Sequence, residues 1–250
     1  MATMSTLFIS DLHLDPTRPA TARAFLSFLT DTATGADTLY ILGDFFETWI
    51  GDDAGTVFSD SIASALHVLS ASGTAIYLQH GNRDFLLGQR FCDAAGCTLL
   101  PDPSVINCYD RALLIMHGDS LCTDDADYIE LRQQLRGPQW QAQFLAQSVE
   151  QRQVIAQQLR AASSAANSSK SQHIMDVNAD AVGDCFEQHG VDLLIHGHTH
   201  RPDIHNYPHH DGVRKRVVLG DWDAYAWAVH YHSDHSYQLE HWPIDQMIID

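Results

Sequence analysis

The sequence predicts an α/β fold, a body of layered sheets that carries a helical insertion. Two observations predict it. Over the first 120 residues, short apolar runs alternate with helical patterns. From about Cys122 to Ser171 the strand-like runs vanish, and the alternation then resumes. Strands are expected at Leu7–Ser10, Thr38–Leu42, Ala75–Gln79 and Ala112–His117, and helices near Ala20–Thr32, Val57–Ser72 and Phe85–Ala95. Polar, glycine-containing turns follow these strands, where open α/β sheets place their ligand sites.

The middle segment is rich in Gln, Ala and Ser. Leu121, Tyr128, Leu131 and Leu135 recur at helical spacing, as do Leu145, Val149, Ile155 and Leu159. The expected division is therefore a core of 1–121 and 172–250 with a helical cap of 122–171. Ala161–Ser171 is small and polar but too short for a linker. Beyond the cap, a helix over Asn178–His189 and a strand at Asp192–His196 are expected. The tail reads as β-rich, with Arg216–Leu219, Trp227–His232 and Tyr237–His241.

Composition narrows the function classes. The 250 residues are 45% hydrophobic and 18% charged, which suits a globular chain with a sizeable core. A net charge of −18, with only 14 Lys and Arg, disfavours gripping nucleic acid through its phosphates. No apolar run is long enough to span a bilayer. Met1 leads into Thr6–Ser10 without a basic start or a long apolar segment, so no secretory signal and a cytosolic location are expected. Cys92, Cys97, Cys108, Cys122 and Cys185 form no CxxC pair and read as five free thiols.

Five short segments carry chemistry: Asp11-Leu12-His13, Gly43-Asp44, Gly81-Asn82-Arg83-Asp84, His117-Gly118-Asp119 and His196-Gly197-His198-Thr199-His200. Each follows an expected strand. Singly, most would be ordinary turns, and His117 alone would be an unremarkable strand-end histidine. Together and in this order they supply carboxylate, amide and imidazole donors for borderline-hard divalent ions. A cationic centre would also let a strongly acidic protein attract an anionic substrate.

This order of motifs resembles the calcineurin-like metallophosphoesterases, whose pattern is DxH, GD, GN(H/R)D, H and GHxH. The resemblance implies two mixed sheets flanked by helices, and a two-metal centre. One ion would be held by Asp11, His13, Asp44 and His200. The other would be held by Asp44, Asn82, His117 and His198, with Asp44 bridging. Asp44, Asn82, Arg83 and His117 would form the catalytic set. Arg83 stands where many relatives have His, and a guanidinium is a poor proton donor. A phosphate monoester leaving group, with its second pKa of about 6, needs little protonation. Arg83 is therefore expected to grip phosphate oxygens rather than act as an acid. The bland alternative is an ion pair with Asp84.

Longer strings sharpen the resemblance. Tyr40–Asp53, His80–Gly88, Met116–Asp125, Ala166–Ser171 and Ile174–Asn178 are similar to the UDP-2,3-diacylglucosamine pyrophosphohydrolase family of lipid A biosynthesis. That likeness implies hydrolysis of UDP-2,3-diacylglucosamine at the α-phosphorus to UMP and 2,3-diacylglucosamine 1-phosphate (lipid X). It implies two divalent ions, Mn²⁺ by preference, and peripheral attachment to the cytoplasmic face of the inner membrane. No nucleic acid and no obligate protein partner are expected. It assigns substrate contacts to Asn82, Arg83, Asp125, Ser163, Asn167, Lys170 and His198, with Tyr128 and Arg160 as neighbours. The cap would shelter two acyl chains, since each buried methylene is worth about 0.8 kcal/mol. Trp49 and Trp140 could touch them, though Trp49 reads first as core. The cap's five basic residues are balanced by nearby acids, so electrostatic attraction to lipid should be modest. His205, His209, His210, His230, His232, His235 and His241 match no ligand position and are expected mostly solvated. The competing readings are action on another nucleotide diphosphate or a phosphomonoester, or a scaffold that has lost catalysis.

Overall fold

A computed structural model describes residues 5–169, 174, 176–210 and 212–247. It places eleven strands in two sheets among these residues. The first sheet holds β1 (Ser5–Ile9), β2 (Thr38–Leu42), β3 (Ala75–Gln79), β4 (Thr98–Leu99), β10 (Tyr225–His232) and β11 (Tyr237–Pro243), in the order β11-β10-β1-β2-β3-β4. The second holds β5 (Ser104–Cys108), β6 (Arg111–Met116), β7 (Leu193–His196), β8 (Asp203–His209) and β9 (Gly212–Val218), in the order β5-β6-β7-β9-β8. Both are mixed: β1, β2 and β3 run parallel while β10 joins β1 antiparallel, and β6, β7 and β9 run parallel between antiparallel edges.

The sheets face each other across Phe8, Tyr40, Leu113, Ile115, Ile195 and Val229. Their outer faces are covered by helices. Helices α1 (Pro19–Phe28), α2 (Val57–Ala71) and α3 (Gln89–Ala95) pack on the first sheet. Helix α7 (Ala179–His189) packs on the second through Val182 and Phe186. Strands covered on both faces read as nearly continuous apolar runs, which is why β1, β2, β3, β6 and β7 were legible. Local chemistry sets the helix starts. Thr56 and Ser59 form a reciprocal capping box at α2, and Asn178 accepts the Asp180 and Ala181 amides at α7.

Three expectations need correction. The helix expected over Phe85–Ala95 begins only at Gln89. The Asp52 carboxylate takes the Gly88 and Phe91 amides there, and residues 85–88 form a loop that turns its leucines inward. The helix expected at Ala20–Thr32 is α-helical only to Phe28 and continues as a π turn over Leu29–Ala33. The edge strands β5 and β8 went unpredicted, because polar residues and Pro208 mask an edge that has one partner only.

Helices α4 (Ala126–Arg136), α5 (Pro138–Leu145) and α6 (Val149–Ser169) follow in succession within the 122–171 stretch. The Gly137-Pro138 step separates the first two, and the alanine-rich 161–169 run extends α6 rather than forming a loop. Phe144 is buried with the main core, with Trp140 stacked on it and leaning on Phe85. Arg152, almost wholly buried on α6, pairs with Asp53 and donates to the Ile50 carbonyl. All five cysteines are free thiols, as expected.

Candidate active site

The five motifs meet at one sheet edge because the parallel strands β1, β2, β3, β6 and β7 all point their carboxyl ends there. Backbone bonds lock the loops together. The amides of Asp11 and His13 donate to the Gly43 and Asp44 carbonyls, and the Gly197 amide donates to the His117 carbonyl. Asp11, His13, Asp44, His198 and His200 all hold positive φ, between 48° and 66°. Such backbone costs of order 1–3 kcal/mol per residue and persists where surroundings enforce it, commonly at functional sites.

Two glycines permit this closeness. A Cβ on Gly197 would lie 2.0 Å from Asp11 Oδ2, and one on Gly81 would lie 2.1 Å from Asp44 Oδ1. Asp84 holds the loops from beneath: its buried carboxylate accepts the Phe45, Phe46 and Gly81 amides. It is therefore occupied with backbone and does not pair with Arg83. The Arg83 amide donates to Asp44 Oδ1 at 2.8 Å, and its side chain lines the cleft.

The donor atoms converge. Asp11, His13 and His200 offer ligand atoms within 4.8 Å of one another, as do Asp11, Asp44 and His117. Asn82 Oδ1 lies 3.0 Å from both His117 Nε2 and His198 Nδ1. The imidazoles are oriented from behind. His117 Nδ1 donates to the Leu42 carbonyl at 2.9 Å, and His13 Nδ1 lies 2.7 Å from Glu47 Oε2. Each therefore turns Nε2 toward the carboxylates, the arrangement found behind metal-bound histidine. His196 takes no part, since Gly197 and Arg216 occupy its two nitrogens.

A cation fits this donor set. Asp11 Oδ2 is satisfied by Ser10 and the His198 amide, whereas buried Oδ1 faces only imidazole, His200 Nε2 at 3.3 Å and His13 Nε2 at 4.0 Å, in poor hydrogen-bond geometry. Burial pushes the Asp11 carboxyl up, yet the imidazoles of His200, His117 and His13 outweigh it and hold it far below the usual range. Asp44 goes the other way, raised by burial and by the neighbouring Asp11 and Asp84 charges. Burial works against a charged His117, but Asp44, Asp11, Asp119 and Asp102 raise it to about 9. His198, pushed down to about 4 by burial and then by His117, is a neutral imidazole ready to ligate. Crowded carboxylates drawing protons onto imidazole are what a bound cation would relieve.

Two clefts join here. A polar one of about 860 Å³ contains His13, Asp44, His198 and His200 together with Asp125 and Arg201. An apolar groove runs between the core and helices α4–α6, with Trp49, Phe85, Leu131, Leu135, Trp140 and Leu159 in its wall. Both are lined by Asn82, Arg83, Tyr128 and Ser163. Trp49 thus serves the core, as expected, and the groove as well.

The remaining expected residues distribute unevenly. Tyr128 stacks on the His198 ring at 5.9 Å and donates its hydroxyl to Asp119. Asp125 is buried and caps α4 through the Tyr128 amide. Arg160 pairs with Glu47. The Asn167 side chain and Lys170 lie outside the described residues. Of the seven tail histidines, five are half-buried rather than solvated, and none joins a donor cluster among the described residues.

The sequence assigns no individual role to Glu47, Asp119, Arg132 or Arg136. Arg132 donates to Asp119 at 2.7 Å, and Arg136 donates to the Gly81 carbonyl at 3.0 Å, so α4 clamps the loop that carries Asn82. Burial pushes the Glu47 carboxyl up, but hydrogen bonds from His13 and Arg160 hold it at about 2. Glu47 and Asp119 sit inside the quoted strings, which was the available signal.

The model of the calcineurin-like phosphoesterase family matches residues 4–202. A UDP-2,3-diacylglucosamine hydrolase of Marinobacter nauticus is 48% identical over 241 residues, covering 96% of this chain and 99% of that protein. The chain belongs to the UDP-2,3-diacylglucosamine hydrolase family of calcineurin-like phosphoesterases. Other members are as similar. The hydrolase of Pseudomonas paraeruginosa is 54% identical, covering 90% of this chain and 94% of that protein. That of Cellvibrio japonicus is 50% identical over the same shares. A calcineurin-like phosphoesterase is a metal-dependent hydrolase, and the clustered donors described here suit divalent metal. No helix among the described residues is long and apolar enough to cross a membrane.

Proposed function

We propose that this protein hydrolyses the pyrophosphate of UDP-2,3-diacylglucosamine, releasing UMP and 2,3-diacylglucosamine 1-phosphate. The observation that carries the reading is the shared wall of the two clefts. A phosphate-binding centre opens directly into an apolar groove through Asn82, Arg83, Tyr128 and Ser163. A substrate with a diphosphate at one end and two acyl chains at the other would span both. The name carried by relatives at about 50% identity supports the same substrate.

Helices α4–α6, within the expected 122–171 insertion, act as a cap over the groove. Asp11, His13, Asp44 and His200 would hold one ion, and Asp44, Asn82, His117 and His198 the other, with Mn²⁺ the favoured metal. When bound, such ions neutralise phosphate charge and supply a water-derived nucleophile at neutral pH. The chain's own groups do the rest. Leu42 and Glu47 fix the ligand tautomers from behind. Arg83, unpaired with Asp84, presents its guanidinium to phosphate oxygens. Neither it nor His198, with its lowered pKa, is needed as an acid, because the departing phosphate monoester is a good leaving group. Asp125 and Ser163 line the polar cleft and would contact the sugar and its phosphate, a role that the family resemblance also gives to Asn167 and Lys170.

Attachment to the inner membrane's cytoplasmic face would rest on apolar cap surface. Leu145 and Val154 are exposed there, whereas Arg132, Arg136, Arg152 and Arg160 all pair with acids of this chain. Hydrolysis in ¹⁸O-water tests the reaction course. Attack at the α-phosphorus places the label in UMP, and label in the lipid phosphate would refute it.

A further inference from the structure

Glu47 touches both halves of the site at once. Its Oε2 lies 2.7 Å from His13 Nδ1, while Oε1 pairs with the Arg160 guanidinium on α6. Arg160 adds donors to the Glu47 carbonyl at 3.0 Å and to Thr48 Oγ1 at 3.2 Å. His13 belongs to the donor cluster, and Arg160 stands one turn before Ser163 on the wall of the apolar groove. One carboxylate therefore joins a metal-facing imidazole to the helix that covers the substrate groove.

We propose that Glu47 is a positioning residue that couples metal loading to cap docking, with one oxygen orienting His13 and the other seating Arg160. The proposal rests on the metal-centre reading above. A histidine that donates its rear N–H to a carboxylate is fixed in tautomer and ring orientation, and is the more basic ligand for it. The effect runs outward too. Were His13 to hold an ion, its ring would be fixed, the ring would fix the carboxylate, and a fixed carboxylate is a better seat for the planar guanidinium fork. Such linkage is reciprocal, so a docked cap favours the loaded centre by the same factor. In a metal-free chain Arg160 loses that rigid seat and α6 loosens, leaving the groove easier to enter.

The competing account is an ordinary surface ion pair. Arg160 is 37% exposed, and such pairs are often worth little. That account gives Glu47 no influence on metal.

Full-length wild type, E47Q and R160Q distinguish the two, with Mn²⁺ as the probe. Electron paramagnetic resonance of free Mn²⁺ reads affinity, and amide hydrogen exchange along α6 reads docking. In wild type, Mn²⁺ should slow α6 exchange. E47Q should bind Mn²⁺ about 10–100-fold more weakly and lose that response. R160Q keeps the His13–Glu47 pair, so it should lose less affinity than E47Q but all of the α6 response. E47D, which restores the charge, should recover part of the affinity, as a misfolded protein would not. Wild-type Mn²⁺ affinity in E47Q, or a persisting α6 response in R160Q, would overturn the coupling. A wild type that binds no Mn²⁺ would instead overturn the metal-centre reading on which it stands.

Discussion

Asn82→Ala should lower kcat by about a thousandfold or more while leaving the fold intact. Asn82 Oδ1 is the one neutral oxygen in the cluster, 3.0 Å from both His117 and His198. Its removal leaves two imbalances. The imidazoles lose the acceptor between them, and one proposed ion loses a ligand that carried no charge. Asn82 also lines both clefts, so phosphate positioning goes with it. The fold should tolerate the change, because the loop is held by Asp84 and by the Arg136 bond to the Gly81 carbonyl rather than by the Asn82 side chain. Steady-state kinetics beside a circular dichroism melt check this. Activity within tenfold of wild type would place Asn82 outside the chemistry.

Shortening each acyl chain by two methylenes should lower kcat/KM by about two-hundredfold. Four methylenes at about 0.8 kcal/mol each come to about 3 kcal/mol, and each 1.4 kcal/mol is tenfold. The groove can exert such discrimination because Trp49, Phe85, Leu135 and Trp140 wall it with little competing polarity. The loss should be graded with chain length, not abrupt. A series of UDP-diacylglucosamines assayed below KM measures it. Equal kcat/KM across the series would mean that the chains stay outside the groove.

The convergence of the five motifs was legible in the sequence because each follows a strand of the parallel runs β1-β2-β3 or β6-β7, and strand direction brings such positions to one edge. Grouping Asp11, Asp44, Asn82, His117 and His198 as one donor set came from the resemblance of the motif order to the calcineurin-like phosphoesterases. Glu47 and Arg160 were another matter. Glu47 follows β2 and Arg160 lies on α6, and nothing in their spacing announces the contact. Arg152 meeting Asp53 is the same case. The strands β5 and β8 escaped because their polar residues and Pro208 obscure the apolar alternation of edge strands that have one partner each. Residues 85–88 differ in the opposite direction: they fall within the expected Phe85–Ala95 helix, yet Leu86 and Leu87 are buried from a loop that the Asp84 and Asp52 carboxylates hold in shape.

These carboxylates, imidazoles and one amide would serve a metal-dependent hydrolysis of a lipid-bearing nucleotide diphosphate. Its most direct test is to strip the protein with chelator, offer UDP-2,3-diacylglucosamine, and follow UMP release as Mn²⁺ is returned. The site described here predicts no UMP from the stripped protein and full turnover once metal is restored. Undiminished UMP release in the presence of chelator would contradict it.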